Sequence, residues 1–377
     1  MDSATQFNTI EEAIRAIAAG EMVVVVDDDD RENEGDLIMA ACKATPESVA
    51  FMIRHTSGIL CVPLLPERAR SLRLDPMVHA NDAPLGTAFT VSVDYRQGLT
   101  TGISAEERTN TIRALANDNA AAADFVRPGH IFPLVAREGG VLVRSGHTEA
   151  ATDLARLADL PPVGLLAELV NDDGTVKRLP ELMAFAREHG LKIVSIADLI
   201  AHRQQRERLV ERVGTFDVET EIGPAHAVAY ATPFDDLQHV ALVFGDIGDG
   251  QGVPVRIHRE QVIDDVFGGR GGRETNLIAK ALRRIQADGR GVLIYLREGT
   301  PGVPVVGLQQ QAAAEPAPAE GSEAIRKRQW REVGVGAQIL RDLGIRSIKL
   351  LATQQRQYVG LSGFGIAIAG TDIIDAT

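Results

Sequence analysis

Two kinds of apolar pattern follow each other along the chain, one with a period near 3.6 residues and one made of short continuous or alternating runs. Thr9-Ile10-Glu11-Glu12 has the spacing of a capping box and predicts a helix to about Ala19, closed by Gly20. Met22 to Val26 is a β-branched run that predicts a buried strand, and Leu37 to Ala41 predicts another after an acidic loop. Thr87 to Asp94 (TAFTVSVD) alternates as a strand does. Ser104 to Ala116 predicts a helix capped by Ser104, and Ala120 to Asp124 a helix or its end. Gly164 to Leu169 and Lys192 to Ile196 predict strands, and Pro180 to His189 an amphipathic helix stopped by Gly190.

From Ile196 to about Arg212 the pattern starts apolar and becomes highly charged, which suits a helix bridging two domains. A second system begins near Thr215, with strands over Ala241 to Phe244, Val253 to Ile257 and Val292 to Leu296. Gln309 to Ser322 (QQQAAAEPAPAEGS) reads as a mobile surface loop. Alternating helices and strands without an internal repeat predict an α/β fold with layers of the α+β type. We expect two domains, 1–205 and 206–377, each a mixed sheet packed with helices.

Length agrees, since 377 residues suit two domains. Charge narrows the partners: 52 acidic against 39 basic residues give a net charge of −13, which argues against nucleic-acid or anionic-membrane binding. No run of about 18 apolar residues is present, so no membrane span is expected. The acidic N-terminus has no apolar stretch typical of a signal peptide. The two cysteines, Cys42 and Cys61, rule out a disulfide scaffold and suit a reducing cytoplasm.

Residues 27–36 read DDDDRENEGD, with seven acidic side chains among ten. Carboxylates this dense repel each other unless cations share the space. Charge alone fits either a solvated acidic loop or a divalent-cation site, where oxygen ligands suit Mg²⁺ or Mn²⁺. Arg31 and Gly35 favour the second, since neither adds to a merely solubilising run.

The order Arg31-Glu32-Asn33-Glu34-Gly35-Asp36 is far more specific than its charge. Here the chain resembles the 3,4-dihydroxy-2-butanone 4-phosphate synthases of riboflavin biosynthesis. Five further stretches agree in order: Gly58 to Pro63, Thr87 to Asp94, Thr101 to Ala105, Arg127 to Leu134 and Arg144 to Glu149. Together they cover about residues 5–202.

The resemblance implies a metal-dependent lyase that converts ribulose 5-phosphate to 3,4-dihydroxy-2-butanone 4-phosphate and formate. It implies Mg²⁺ or Mn²⁺, no organic cofactor, and a homodimer with active sites at the subunit interface. Glu32 and His147 are the implied metal ligands. The resemblance also implies that Asp36 and Arg31 face substrate, Asp36 accepting hydroxyl hydrogen bonds and Arg31 offsetting negative charge. For Arg31 a simple ion pair within the loop is the plainer alternative. Glu34 is placed near the site, as a base or an outer ligand.

Arg144-Ser145-Gly146-His147-Thr148 combines donors with a flexible glycine, as a phosphate cradle would, with Arg144 and Thr148 as side-chain donors. On its own that stretch reads as an ordinary polar turn. His130 and Glu168 are the implied proton-transfer residues. Alone, His130 after Arg-Pro-Gly reads as a loop histidine. Glu168, in the apolar run Leu165 to Val170, is costly to bury unpaired. Cys61 sits in an apolar run and reads as packing.

From about Thr215 the chain resembles GTP cyclohydrolase II, on Val255 to Glu260, Asp264 to Gly268 and Gly334 to Gly344. That family holds catalytic zinc with three cysteines, and residues 62–377 contain none. Gln261, Gly272 and Glu274 stand at the aligned positions. The segments Arg297 to Gly302 and Ala352 to Gln357, and the positions Gln329, Arg331 and Val333, also depart from the family's pattern apart from Arg331. A replacement site of His258, Glu260 and Asp264 would be a new invention. We expect no zinc in this half. We therefore expect a synthase with a catalytically inactive second half; the alternative is a bifunctional enzyme.

Overall fold

The computed structural model describes residues 7–28, 31–83, 85–233, 235–267, 276–297, 334–353 and 365–374. The expected loop at 309–322 lies outside them. The chain divides into two compact units, Met1–His202 and, from Arg203 on, the rest of the described residues.

In chain order the first unit holds α1 (Ile10–Ala19), β1 (Val23–Val26), β2 (Gly35–Ala40), α2 (Pro46–His55), β3 (Cys61–Leu64), α3 (Pro66–Ser71) and β4 (Val93–Tyr95). Then come α4 (Ala105–Leu115), β5 (Phe125–Val135), α5 (His147–Leu157), β6 (Gly164–Glu168), α6 (Leu179–Glu188) and β7 (Lys192–Ser195), with α7 (Ile196–Arg206) following. The capping box closes as expected: the Thr9 hydroxyl accepts from the Glu12 N–H at 3.2 Å and the Glu12 carboxylate from the Thr9 N–H at 2.9 Å.

The strands form one mixed sheet in the order β4-β5-β3-β6-β2-β1-β7. β1 is buried at all four valines because helices cover both faces, which is why it reads as a run rather than an alternation. Val24, Val26, Leu37 and Met39 pack on one side with α2, α4 and α6. Val23, Val25, Ile38 and Ala40 pack on the other with α1 and α5.

Three elements differ from expectation. Thr87 to Asp94 is not one continuous strand; Val93–Tyr95 is a strand of the sheet, and Phe89 meets Leu134 of β5 only in an isolated bridge. Upstream, the Val91 N–H donates to Asp75 and the Thr90 N–H to Pro133, so the segment divides its backbone bonds between two partners. The charged helix stops at Arg206 instead of Arg212, because Leu209 and Val210 are buried and Glu211 opens a strand. His130 lies inside β5 and not in a loop.

The second unit carries β8 (Glu211–Thr220), β9 (Gly223–Thr232), β10 (Asp235–Phe244), β11 (Val253–Arg259), α8 (Val262–Phe267), α9 (Leu277–Asp288), β12 (Gly291–Leu296), α10 (Gly336–Asp342), β13 (Ser347–Ala352) and β14 (Ala367–Ile373). Its sheet runs β14-β13-β11-β12-β10-β9-β8, antiparallel over β8, β9, β10 and β12 and parallel from β12 to β14. Each unit is thus a mixed sheet with helices, as expected.

Candidate active site

Strand register assembles the site. Val25 pairs with Asp36 across β1 and β2, and Asp36 pairs with Glu168 across β2 and β6. Residues directly opposite share a face, so all three lie on the face that α5 covers. His147 is the first residue of α5, and its Nε2 lies 3.1 Å from the Val25 carbonyl oxygen. A carbonyl only accepts, so Nε2 carries a proton and Nδ1 is the atom turned toward Glu32, 3.6 Å from its Oε2.

Asp27 folds the acidic loop. Its carboxylate accepts from the backbone N–H groups of Glu32 at 3.0 Å and Glu34 at 2.9 Å, and pairs with Arg31 at 3.0 Å. Arg31 also meets Glu32 at 2.7 Å. These contacts are the ion pair within the loop, and they leave the Arg31 side chain 3% exposed. The glycine of the motif has a packing reason: a Cβ on Gly35 would overlap the Leu182 side chain of α6. Arg178 donates to the Glu32 carbonyl at 2.8 Å and holds the loop from outside.

Asp27, Glu32 and His147 each offer a ligand atom, all within 4.8 Å of one another. Asp36 is buried, and its Oδ1 has no hydrogen-bond partner. One imidazole among carboxylates, with an orphaned carboxylate oxygen beside it, fits a hard divalent cation. The charges respond to each other. Burial pulls the His147 pKa down, but Asp36, Glu32 and Asp27 more than offset it and raise it to about 9. Burial pushes Asp36 up to about 7; His147 opposes this, and Glu168, Glu32 and Glu34 add to it. Burial raises Glu32, yet His147 and Arg31 prevail and hold it below the usual range. Glu34 is raised by burial and by Glu32 and Glu168.

Thr148 follows His147 in the first turn of α5, and both are buried. Arg144 donates to Glu149 at 2.7 Å and to the Leu85 carbonyl at 3.2 Å. Gly146 is the N-cap, and a Cβ there would crowd Arg144 and Glu149. Glu168 ends β6 and is half-buried, less enclosed than its apolar neighbours predict; it accepts from the Ser57 hydroxyl at 2.7 Å. Cys61 is buried, and burial pushes its thiol up.

His130 stands apart from the cation cluster, since β3 lies between β5 and β6. Its ring meets Asp94 at 2.7 Å. Asp94, Ser57 and Glu149 have no role that the sequence assigns, and Asp27 has none beyond its place in the acidic loop. The only sequence signal for them is that Asp94 and Glu149 fall inside the matching stretches.

In the second unit His258 Nε2 pairs with Asp265 at 2.9 Å, and the Tyr295 hydroxyl donates to the same carboxylate at 2.8 Å. His258, Glu260 and Asp264 form no metal-holding group among the described residues. Gly272, Glu274, Gln329, Arg331, Val333, residues 298–302 and residues 354–357 lie outside the described residues.

Comparison with known proteins gives two family matches: 3,4-dihydroxy-2-butanone 4-phosphate synthase over residues 11–202 and GTP cyclohydrolase II over residues 211–372. The riboflavin biosynthesis protein RibBA of Nocardia farcinica is 50% identical, over 97% of this chain and 90% of its own. In Arabidopsis thaliana the chloroplastic bifunctional riboflavin biosynthesis protein RIBA 1 is 48% identical, over 97% of this chain and 68% of its own. The monofunctional RIBA 2 of the same plant is also 48% identical, over 97% and 76%. Among solved structures, RibBX, a two-domain 3,4-dihydroxy-2-butanone 4-phosphate synthase from A. baumannii, superposes with TM-score 0.77 at 38% identity, covering 98% of this chain and all of that one. A 3,4-dihydroxy-2-butanone 4-phosphate synthase in complex with two magnesium ions superposes with TM-score 0.52 at 47% identity, covering 53% of this chain and 98% of that one.

These matches correct the expectation of a catalytically inactive second half. That half matches GTP cyclohydrolase II over residues 211–372, and relatives that align through both halves include one named bifunctional. The bifunctional alternative takes its place.

Proposed function

The chain belongs to the 3,4-dihydroxy-2-butanone 4-phosphate synthase family, and from that premise we propose that its first unit is a carbon–carbon lyase of riboflavin biosynthesis. It converts D-ribulose 5-phosphate to L-3,4-dihydroxy-2-butanone 4-phosphate and formate. The observation that carries this is the pairing of Glu32 Oε2 with His147 Nδ1 at 3.6 Å beside the unpartnered Asp36 Oδ1.

Glu32 and His147 would hold Mg²⁺ or Mn²⁺, which when bound would supply a Lewis acid for the negative charge that develops when a proton leaves the carbon next to the ketone. Asp27 fixes the loop that presents Glu32. Asp36 accepts from substrate hydroxyls, and Arg31 offsets the local negative charge. Arg144, Thr148 and the backbone at the start of α5 hold the phosphate. His130 and Glu168 move protons, with Ser57 orienting Glu168. Formate release from D-ribulose 5-phosphate by the purified chain tests the assignment.

Cation binding must displace the proton from His147 Nδ1. Because that pKa is raised to about 9, the protonated form prevails below it and competes with the cation. Mg²⁺ affinity is therefore expected to rise with pH, by at most about tenfold per unit for this proton. Ionisation of Asp36 near pH 7 acts in the same direction. Calorimetric Mg²⁺ titration at several pH values checks this, and an affinity independent of pH would contradict it.

We also propose a homodimer in the cytoplasm. Ile59 and Ile103, about half exposed, flank in sequence the turns of Ser57 and Gly102. A shared interface there would also account for the distance of His130 from the cation cluster within one chain. No described helix is long and apolar enough to cross a membrane.

For the second unit, the match to GTP cyclohydrolase II and the bifunctional name of one relative support an activity on GTP. No cysteine follows Cys61, so we propose that any such activity works without a thiolate-held zinc. Metal analysis of the dialysed full chain is expected to find zinc well below one per chain; one tightly held zinc would contradict this. GTP turnover that survives Glu32→Ala would place an activity in the second unit.

A further inference from the structure

Both carboxylate oxygens of Asp94 are spent on one residue. Oδ1 accepts the backbone N–H of His130 at 2.9 Å, and Oδ2 lies 2.7 Å from His130 Nδ1. The Asp94 side chain is 4% exposed, whereas the His130 side chain is 40% exposed. Strand register explains how the pair forms. Val93 pairs with Ile131 but Asp94 pairs with Val126, so residues 127–130 bulge out of the ladder and carry His130 with them. The Ser92 hydroxyl accepts from the Gly129 N–H at 3.1 Å and pins the bulge.

The surroundings are shaped around this pair. Gly102, at φ +83°, closes over it, and a Cβ there would overlap both the Asp94 carboxylate and His130 Nδ1. A Cβ on Gly129 would strike the backbone of Val93 and Asp94. From α4 the buried Arg108 contributes positive charge near Asp94. A carboxylate that served only to staple two strands would not need an imidazole as its second partner.

We propose that Asp94 is a positioning residue for the lyase reaction: it clamps His130 as the Nδ1–H tautomer and leaves Nε2 as the free proton acceptor. This rests on the reading of His130 as a proton-transfer residue. An ionised carboxylate can only accept, so the neutral ring must place its proton on Nδ1. The backbone N–H makes the arrangement specific. In Asp94→Asn the amide oxygen remains committed to the His130 N–H, and its NH₂ then faces Nδ1. Nδ1 must accept, so the ring proton moves to Nε2, the atom that has to take a proton from substrate.

The test uses the full-length enzyme with Mg²⁺. Asp94→Asn is expected to lower kcat by at least about 100-fold, the scale of general acid–base catalysis, with KM little changed. The double variant with His130→Gln should be no slower than His130→Gln alone, because both remove the same function. Nitrogen-15 spectra of histidine-labelled protein should show neutral His130 protonated at Nδ1 in the wild type and at Nε2 in Asp94→Asn. Near-normal kcat in His130→Gln would overturn the reading of His130 itself. Slow His130→Gln together with wild-type kcat in Asp94→Asn would overturn the positioning role alone. The wild-type spectrum needs no variant to fold, and an Nε2–H tautomer there would overturn the proposal by itself.

Discussion

Replacing Glu32 or His147 by alanine is expected to lower formate release from D-ribulose 5-phosphate by at least about a thousandfold. Lewis-acid stabilisation of a developing enediolate contributes several kcal/mol, and each 1.4 kcal/mol is about a factor of ten. Glu32 and His147 are the two groups whose ligand atoms face each other, and each already has its other side secured. The Nε2 of His147 is held by Val25, and the backbone of Glu32 by Asp27 and Arg178. Neither side chain belongs to the apolar clusters, so the fold should survive. Thermal melts of both variants should stay close to the wild type, while calorimetry shows Mg²⁺ binding lost or greatly weakened. Near-normal turnover by Glu32→Ala with ordinary Mg²⁺ dependence would remove these residues from the metal site.

The second large effect is on proton transfer. His130→Gln and Glu168→Gln are each expected to lower kcat by at least about 100-fold while KM changes little. Glutamine keeps the approximate size and some hydrogen bonding of both residues but cannot exchange a proton at neutral pH. Glu168 stands opposite Asp36 and is held by Ser57, so its amide should occupy the same place. Steady-state kinetics with D-ribulose 5-phosphate separates the two possibilities. Normal kcat with raised KM would make both residues binders.

Local signals were legible where local chemistry decides the structure. The Thr9–Glu12 capping box and the valines of β1 need only their neighbours and a covering layer. The motif around Glu32 was legible through family resemblance, and the cluster of Asp27, Glu32 and His147 brings its two ends together. What could not be read depends on register or on competition. Asp94 matters because a bulge in β5 delivers His130 to it, and no periodicity encodes that. The Pro-Gly before His130 suggested a loop, but the segment is a distorted part of a strand. Asp27 was one of four consecutive aspartates until its bonds to Glu32 and Glu34 set it apart. Strand β8 is not legible because it is exposed or half-exposed along its length and shows no buried face to betray it.

The most direct measurement is the reaction itself. The purified full-length chain is incubated with D-ribulose 5-phosphate and Mg²⁺, and formate and the four-carbon phosphate are quantified together, with and without a chelator. The expected result is one formate per L-3,4-dihydroxy-2-butanone 4-phosphate, abolished by the chelator and restored by Mg²⁺ or Mn²⁺. Absence of both products from folded, metal-supplemented protein, or formation that ignores the chelator, would contradict the assignment.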